Sequence, residues 1–137
     1  MKRLVIVTIG AMLILPAAAF AADMMREGQW EISSQTEMPG MPMKIPASTI
    51  THCYTKEDVK DQKKVIARDE KCKVTDYKVS GNKVTWAMKC TAEASGTYTG
   101  ETVFGKDSYN SIMKMNAQGH KMTVKVKARR LGDCPKK

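Results

Sequence analysis

The chain has 137 residues, 23 Lys and Arg against 14 Asp and Glu for a net charge of +9, and four cysteines. That length suits one domain around one core. With two histidines, no Ser-His-Asp spacing, no carboxylate pair that argues a catalytic dyad and no glycine-rich phosphate loop, the composition argues against catalysis, and the chain is read as non-enzymatic.

The first element is an export leader. Lys2 and Arg3 precede an apolar run from Leu4 to Leu15, Pro16 breaks it, and Ala19-Phe20-Ala21 satisfies the small-x-small rule for cleavage after Ala21. The run falls short of the roughly 20 residues a membrane-spanning helix needs. Residues 1–21 are therefore read as a signal peptide, and 22–137 as a single β-rich domain with no transmembrane anchor after cleavage. The destination is the periplasm or the exterior. In such a compartment the even cysteine count reads as two disulfides. Spacings of 18, 17 and 43 residues between Cys53, Cys72, Cys90 and Cys134 lack the close pairs of a zinc site.

From Gln29 the pattern has period two: Trp30, Ile32, Ser34, Thr36 and Met38 alternate with polar neighbours, a half-buried strand. The Met/Pro segment EMPGMPMKIP (37–46) follows, and Ser48 to Tyr54 forms a second strand. Thr55 to Asp58 resembles a capping box, opening one helix from Lys56 to about Ala67 with a narrow stripe of Val59, Val65 and Ile66. Five strands then form a meander, over 73–80, 83–92, 97–104, 108–116 and 121–130, with turns at Gly81-Asn82, Gly105-Lys106-Asp107 and Ala117-Gln118-Gly119. The fold class is mainly β: a single antiparallel, strongly curved sheet or open barrel of about seven strands with one helix.

This topology constrains the disulfides. Cys72 opens one strand and Cys90 closes its hairpin partner, so both sit at one end of the sheet, while Cys134 follows the last strand at the other end. Strands of about nine residues span roughly 30 Å, whereas bridged Cα atoms lie within about 7 Å. The expected pairs are Cys53–Cys134 and Cys72–Cys90, with the helix carrying the chain between the two ends. A two-residue Gly81-Asn82 turn would set Cys90 opposite Lys73, so a bulge or a three-residue loop must shift the register by one.

Several stretches together resemble a family of small exported Gram-negative proteins catalogued only as a domain of unknown function. They are REGQWE (26–31), EMPGMPM (37–43), HCYTKED (52–58), CKVTDYKVSGNKVTWAMKC (72–90) and LGDC (131–134). Pro and an apolar residue tend to stand in that family where this chain has Glu27 and Gln29. The resemblance implies a periplasmic or secreted single domain with structural cysteines, and it implies no activity.

Two functional features stand out. Inward positions Trp30, Trp86, Met88, Tyr98, Phe104, Tyr109 and Met113 would line an apolar concavity for a small hydrophobic or lipid-like ligand, or simply fill the core. Met38, Met41 and Met43 form M-x-x-M-x-M, soft thioethers suited to Cu(I), with Met24, Met25 and His52 as additional donors. Against the metal, methionine also fills irregular gaps, and Pro39, Pro42 and Pro46 stiffen an extended segment able to cover an open barrel end. His120 and Met122 share a face but make only two ligands. Lys121, Lys125, Lys127 and Arg129 form a basic outer row that could attract an anionic envelope component, although a solvated face that discourages edge-to-edge pairing accounts for it better. Nucleic acid is disfavoured, since the aromatics point inward. The leading expectation is a binding or accessory protein for a small apolar ligand or envelope component; the alternatives are a Met-rich Cu(I)-handling protein and a structural or interaction protein of the envelope.

Overall fold

Each period-two segment becomes a strand. The computed structural model describes residues 24–43, 45–67 and 69–136, so the signal peptide expected over residues 1–21 lies outside the described residues. The strands are β1 (Gly28–Glu37), β2 (Ser48–Tyr54), β3 (Cys72–Ser80), β4 (Lys83–Cys90), β5 (Gly96–Phe104), β6 (Ser108–Ala117) and β7 (His120–Gly132). They form one antiparallel sheet in the order β2-β1-β7-β6-β5-β4-β3, open between β2 and β3. Among the described residues no helix is long and apolar enough to cross a membrane.

Alternation divides the sheet into two faces. Trp30 and Ile32 of β1, Val84, Trp86 and Met88 of β4, Tyr98 and Phe104 of β5, Tyr109 of β6 and Ala128 of β7 are buried on the inner face. At the end holding the hairpin turn between β3 and β4, the core is aromatic. Trp30 packs on Tyr54 edge-on at 6.1 Å and on Tyr109 at 5.7 Å, and Phe104 lies 5.8 Å from Tyr109. The polar tips are satisfied: Trp30 Nε1 donates to the Arg26 carbonyl at 3.1 Å, and the hydroxyls of Tyr54 and Tyr109 meet at 3.1 Å.

The expected single helix is instead two, α1 (Lys56–Lys60) and α2 (Gln62–Ile66). Asp61 between them is extended, with φ −121° and ψ 92°, and its carboxylate accepts from Lys63 N at 3.1 Å to cap α2. An aspartate that bonds nearby backbone competes with helix continuation, and here the competition ends one helix and begins another. Both pieces still bury an apolar residue, Val59 from α1 and Val65 from α2. The pair carries the chain from the end of the sheet where β2 finishes to the end where β3 starts.

The disulfides are Cys53–Cys134 and Cys72–Cys90, with Cα separations of 5.6 and 4.0 Å. The register shift they require is a β-bulge. From Ser80↔Lys83 through Asp76↔Ala87 the ladder is regular, Thr75 is then left over, and Val74↔Met88 leads to Cys72↔Cys90. One extra residue thus brings the two sulfurs opposite each other. A short 3-10 turn at Ala92–Ala94, absent from the sequence reading, links β4 to β5.

Candidate functional site: an inner-face cavity and a methionine-rich rim

Between α2 and the middle of the inner face lies a cavity of about 130 Å³. Val65 and Ile66 roof it, and Trp86, Phe104, Tyr109 and Met113 line its walls, with Val126 beside them. Trp86 can lie flat across β5 because its register partner is Gly100. A Cβ at Gly100 would stand 2.6 Å from Trp86 Cζ2 and 2.7 Å from the Ile112 carbonyl oxygen.

Beside the Tyr109 phenol, two aliphatic hydroxyls interrupt this apolar lining. Trp86 Nε1 donates to Thr102 Oγ1 at 3.2 Å, Thr102 Oγ1 lies 2.9 Å from Ser111 Oγ, and Ser111 Oγ donates to the Glu101 carbonyl at 3.2 Å. With the Ser111 proton directed to Glu101, Thr102 must donate to Ser111, so every proton of the chain is committed. What remains is acceptor capacity, since each hydroxyl has two lone pairs and has used one. The Thr102–Ser111 pair is therefore an acceptor-only polar spot in a mostly apolar wall.

Of the seven residues expected to line a concavity, Trp86, Phe104, Tyr109 and Met113 meet at this cavity. Trp30 is fully buried behind Tyr109. Met88 and Tyr98 are ladder partners closer to the Cys72–Cys90 bridge and do not line it. Thr102 and Ser111 also line the cavity but are not among those seven. Their signal was present: each is a hydroxyl residue at an inward position of an otherwise apolar strand face.

The Met/Pro segment begins with a β-turn. Met41 N donates to the Met38 carbonyl at 3.3 Å, with Pro39 and Gly40 (φ +85°) in the centre, the arrangement of a type II turn. Met38 is half-buried, whereas Met41 is 60 % and Met43 80 % exposed. Those two side chains consequently cover no apolar opening, contrary to the expectation of a covering loop. The additional donors also lie elsewhere. His52 pairs with Trp30, eight residues before Met38 and about 26 Å along the strand direction. Met25 is fully buried beyond the start of β1. His120 is exposed at the β6–β7 turn, and Met122 is half-buried.

The basic outer row is partly neutralised. Lys125 Nζ bonds Glu37 at 2.8 Å and Arg129 Nε bonds Glu31 at 2.8 Å, both across to β1. The Glu31 hydrogen bond pushes the Arg129 pKa up. At the other end, a cleft of about 380 Å³ holds Arg26, Lys56, Lys60 and Arg130 beside Glu27. Arg26 is paired with Asp107, Arg130 with Asp133, and Lys56 approaches Glu27 at 3.8 Å. These partners blunt the attraction for anions that the net charge suggests.

The order of the motif stretches along this sheet has a counterpart among known families. A sequence profile described as "Protein of unknown function (DUF3617)" matches residues 25–134. The chain belongs to that family. The DUF3617 match spans all seven strands, both helices and all four cysteines. Comparison with curated proteins and with solved structures returned no match.

Proposed function

We propose that this DUF3617 protein is a non-enzymatic binding or accessory protein, exported to the periplasm, whose inner-face cavity takes a small apolar ligand bearing one hydrogen-bond donor. The cavity under α2 carries this reading. An apolar cavity near 150 Å³ admits a molecule the size of benzene, so about 130 Å³ suits a single ring or a short branched chain. The acceptor-only spot at Thr102 and Ser111 favours a hydroxyl or amine over a carbonyl. Val65 and Ile66 of α2 form the roof, and a five-residue helix that begins at an extended Asp61 lifts more readily than a strand. Export is supported by the leader reading of residues 1–21 and by two disulfides, which persist in oxidising compartments.

The test is titration with toluene and with benzyl alcohol, following the indole N–H of Trp86 by NMR. Both should give saturable shifts, and the alcohol should bind about fivefold tighter for one added hydrogen bond of about 1 kcal/mol. Val65→Phe, which fills the cavity from its roof, should abolish both. No saturable shift with either probe would sink the reading.

A further inference from the structure

We propose that the rim of the sheet beside the β1–β2 connection is a Cu(I) site built from the thioethers of Met38, Met115 and Met122. This site is separate from the cavity and stands whether or not an apolar ligand binds there. The sequence suggests Met38, Met41 and Met43 because they are contiguous. The register assembles a different set. Met115 and Met122 are direct partners in the β6–β7 ladder. The last β1–β7 pair is Glu37↔Thr123, which puts Met38 at the next position, beside Met122. Alternation places all three on the inner face, one row beyond Thr36, Val124 and Met113, which are themselves aligned in these ladders.

Three methionines thus stand in a line on three neighbouring strands. Directly opposed Cβ atoms are about 5 Å apart, and the flexible unbranched side chains let the outer two sulfurs converge over the central Met122. All three are half-buried, so they are sheltered yet reachable from solvent. Among the described residues no three His, Cys, Asp or Glu side chains gather to hold a metal. The three thioethers are neutral soft donors, which select Cu(I) over harder cations.

Packing accounts for Met115 alone well enough, since it lies against the core. It does not account for the Met38–Met43 turn. A methionine that is 80 % exposed fills no gap, and Met41 is 60 % exposed three residues from Met38. The type II turn holds Met41 within about 7 Å of Met38, Cα to Cα, where it serves as an incoming thioether that hands the ion to the row.

The experiment is anaerobic titration of the disulfide-intact chain with Cu(I) against a chromophoric Cu(I) chelator, with ascorbate rather than a thiol as reductant. The wild type should take up one Cu(I). Met115→Leu/Met122→Leu should weaken binding by about two orders of magnitude, roughly tenfold for each lost donor, and Met41→Leu/Met43→Leu by less than about tenfold. Met38→Leu lies outside the ladder and tests the same site should the double variant misfold; it should weaken binding by about tenfold. The proposal is overturned if the wild type takes up no Cu(I), if Met38→Leu binds like the wild type, or if only Met41→Leu/Met43→Leu loses the ion.

Discussion

Gly100 shows how one missing methyl group shapes the inner face. The Trp86 ring occupies the space a side chain at position 100 would need, and the tilt of that ring sets one wall of the cavity. Gly100→Ala should therefore displace Trp86, costing about 1–3 kcal/mol for overpacking. A lower urea midpoint, together with a changed near-ultraviolet circular dichroism spectrum, would check it. An unchanged midpoint would mean that the ring has room to move. The alternation of Tyr98, Gly100, Thr102 and Phe104 was legible in the sequence, as was the inward position of Ser111. The meaning of those two hydroxyls was not. A proton chain running from Trp86 through Thr102 and Ser111 joins three strands, and only the register shows that they are neighbours.

Among the elements, the strands were the easiest to read, because a one-sided sheet forces strict alternation. The helical segment is shorter in its pieces than its sequence pattern predicts. Its start was legible: Thr55 Oγ1 accepts from Asp58 N at 3.3 Å while Thr55 N donates to the Asp58 carboxylate at 2.9 Å. Its interruption was not, since Asp61 in a run free of Gly and Pro looks like any exposed helical carboxylate until its cap is seen. Thr55→Ala removes the capping hydroxyl and should cost about 1 kcal/mol, measurable by thermal melting. The hydrogen bonds from Thr55, backbone first, hold the Asp58 carboxyl below its ordinary value of 3.8. A depressed carboxyl stabilises the fold above its unfolded pKa, near 3.9, and that contribution is lost as pH falls through the still lower folded value. Asp58→Asn should therefore be less stable than the wild type at neutral pH, with the gap closing below about pH 4. A gap that stays constant down to pH 2 would rule out this carboxylate as its source. A register shift, by a bulge or a three-residue loop, was legible only because two cysteines had to meet; nothing in the local pattern of β3 announces that Thr75 is the extra residue.

For the whole molecule, the cysteines and the meander together fixed the architecture. Cross-strand neighbourhoods such as Met38, Met122 and Met115 stayed hidden, because they join residues far apart in sequence. The two bridges differ most in the loops they close, with sequence separations of 81 for Cys53–Cys134 and 18 for Cys72–Cys90. The chain-entropy account assigns about 4.5 kcal/mol to the former and about 3 kcal/mol to the latter. Replacing Cys53 and Cys134 with serine should accordingly lower the urea stability more than replacing Cys72 and Cys90. The reverse order would show that strain or residual structure, not loop closure, dominates.

The sheet order carries a further consequence for how the chain reaches this state. β1 lies between β2 and β7, so the earliest strand completes its pairing only with the latest. As the chain emerges N-terminus first, the β1–β2 hairpin must wait with one flank bare until β7 has emerged, and the Cys53–Cys134 bridge can form only after that. A thiol oxidase acting early would find Cys72 and Cys90 as the nearby partners of Cys53. Mispaired species in a pulse-chase of oxidation should therefore join Cys53 to one of those two, and resolving them calls for disulfide isomerisation instead of oxidation alone.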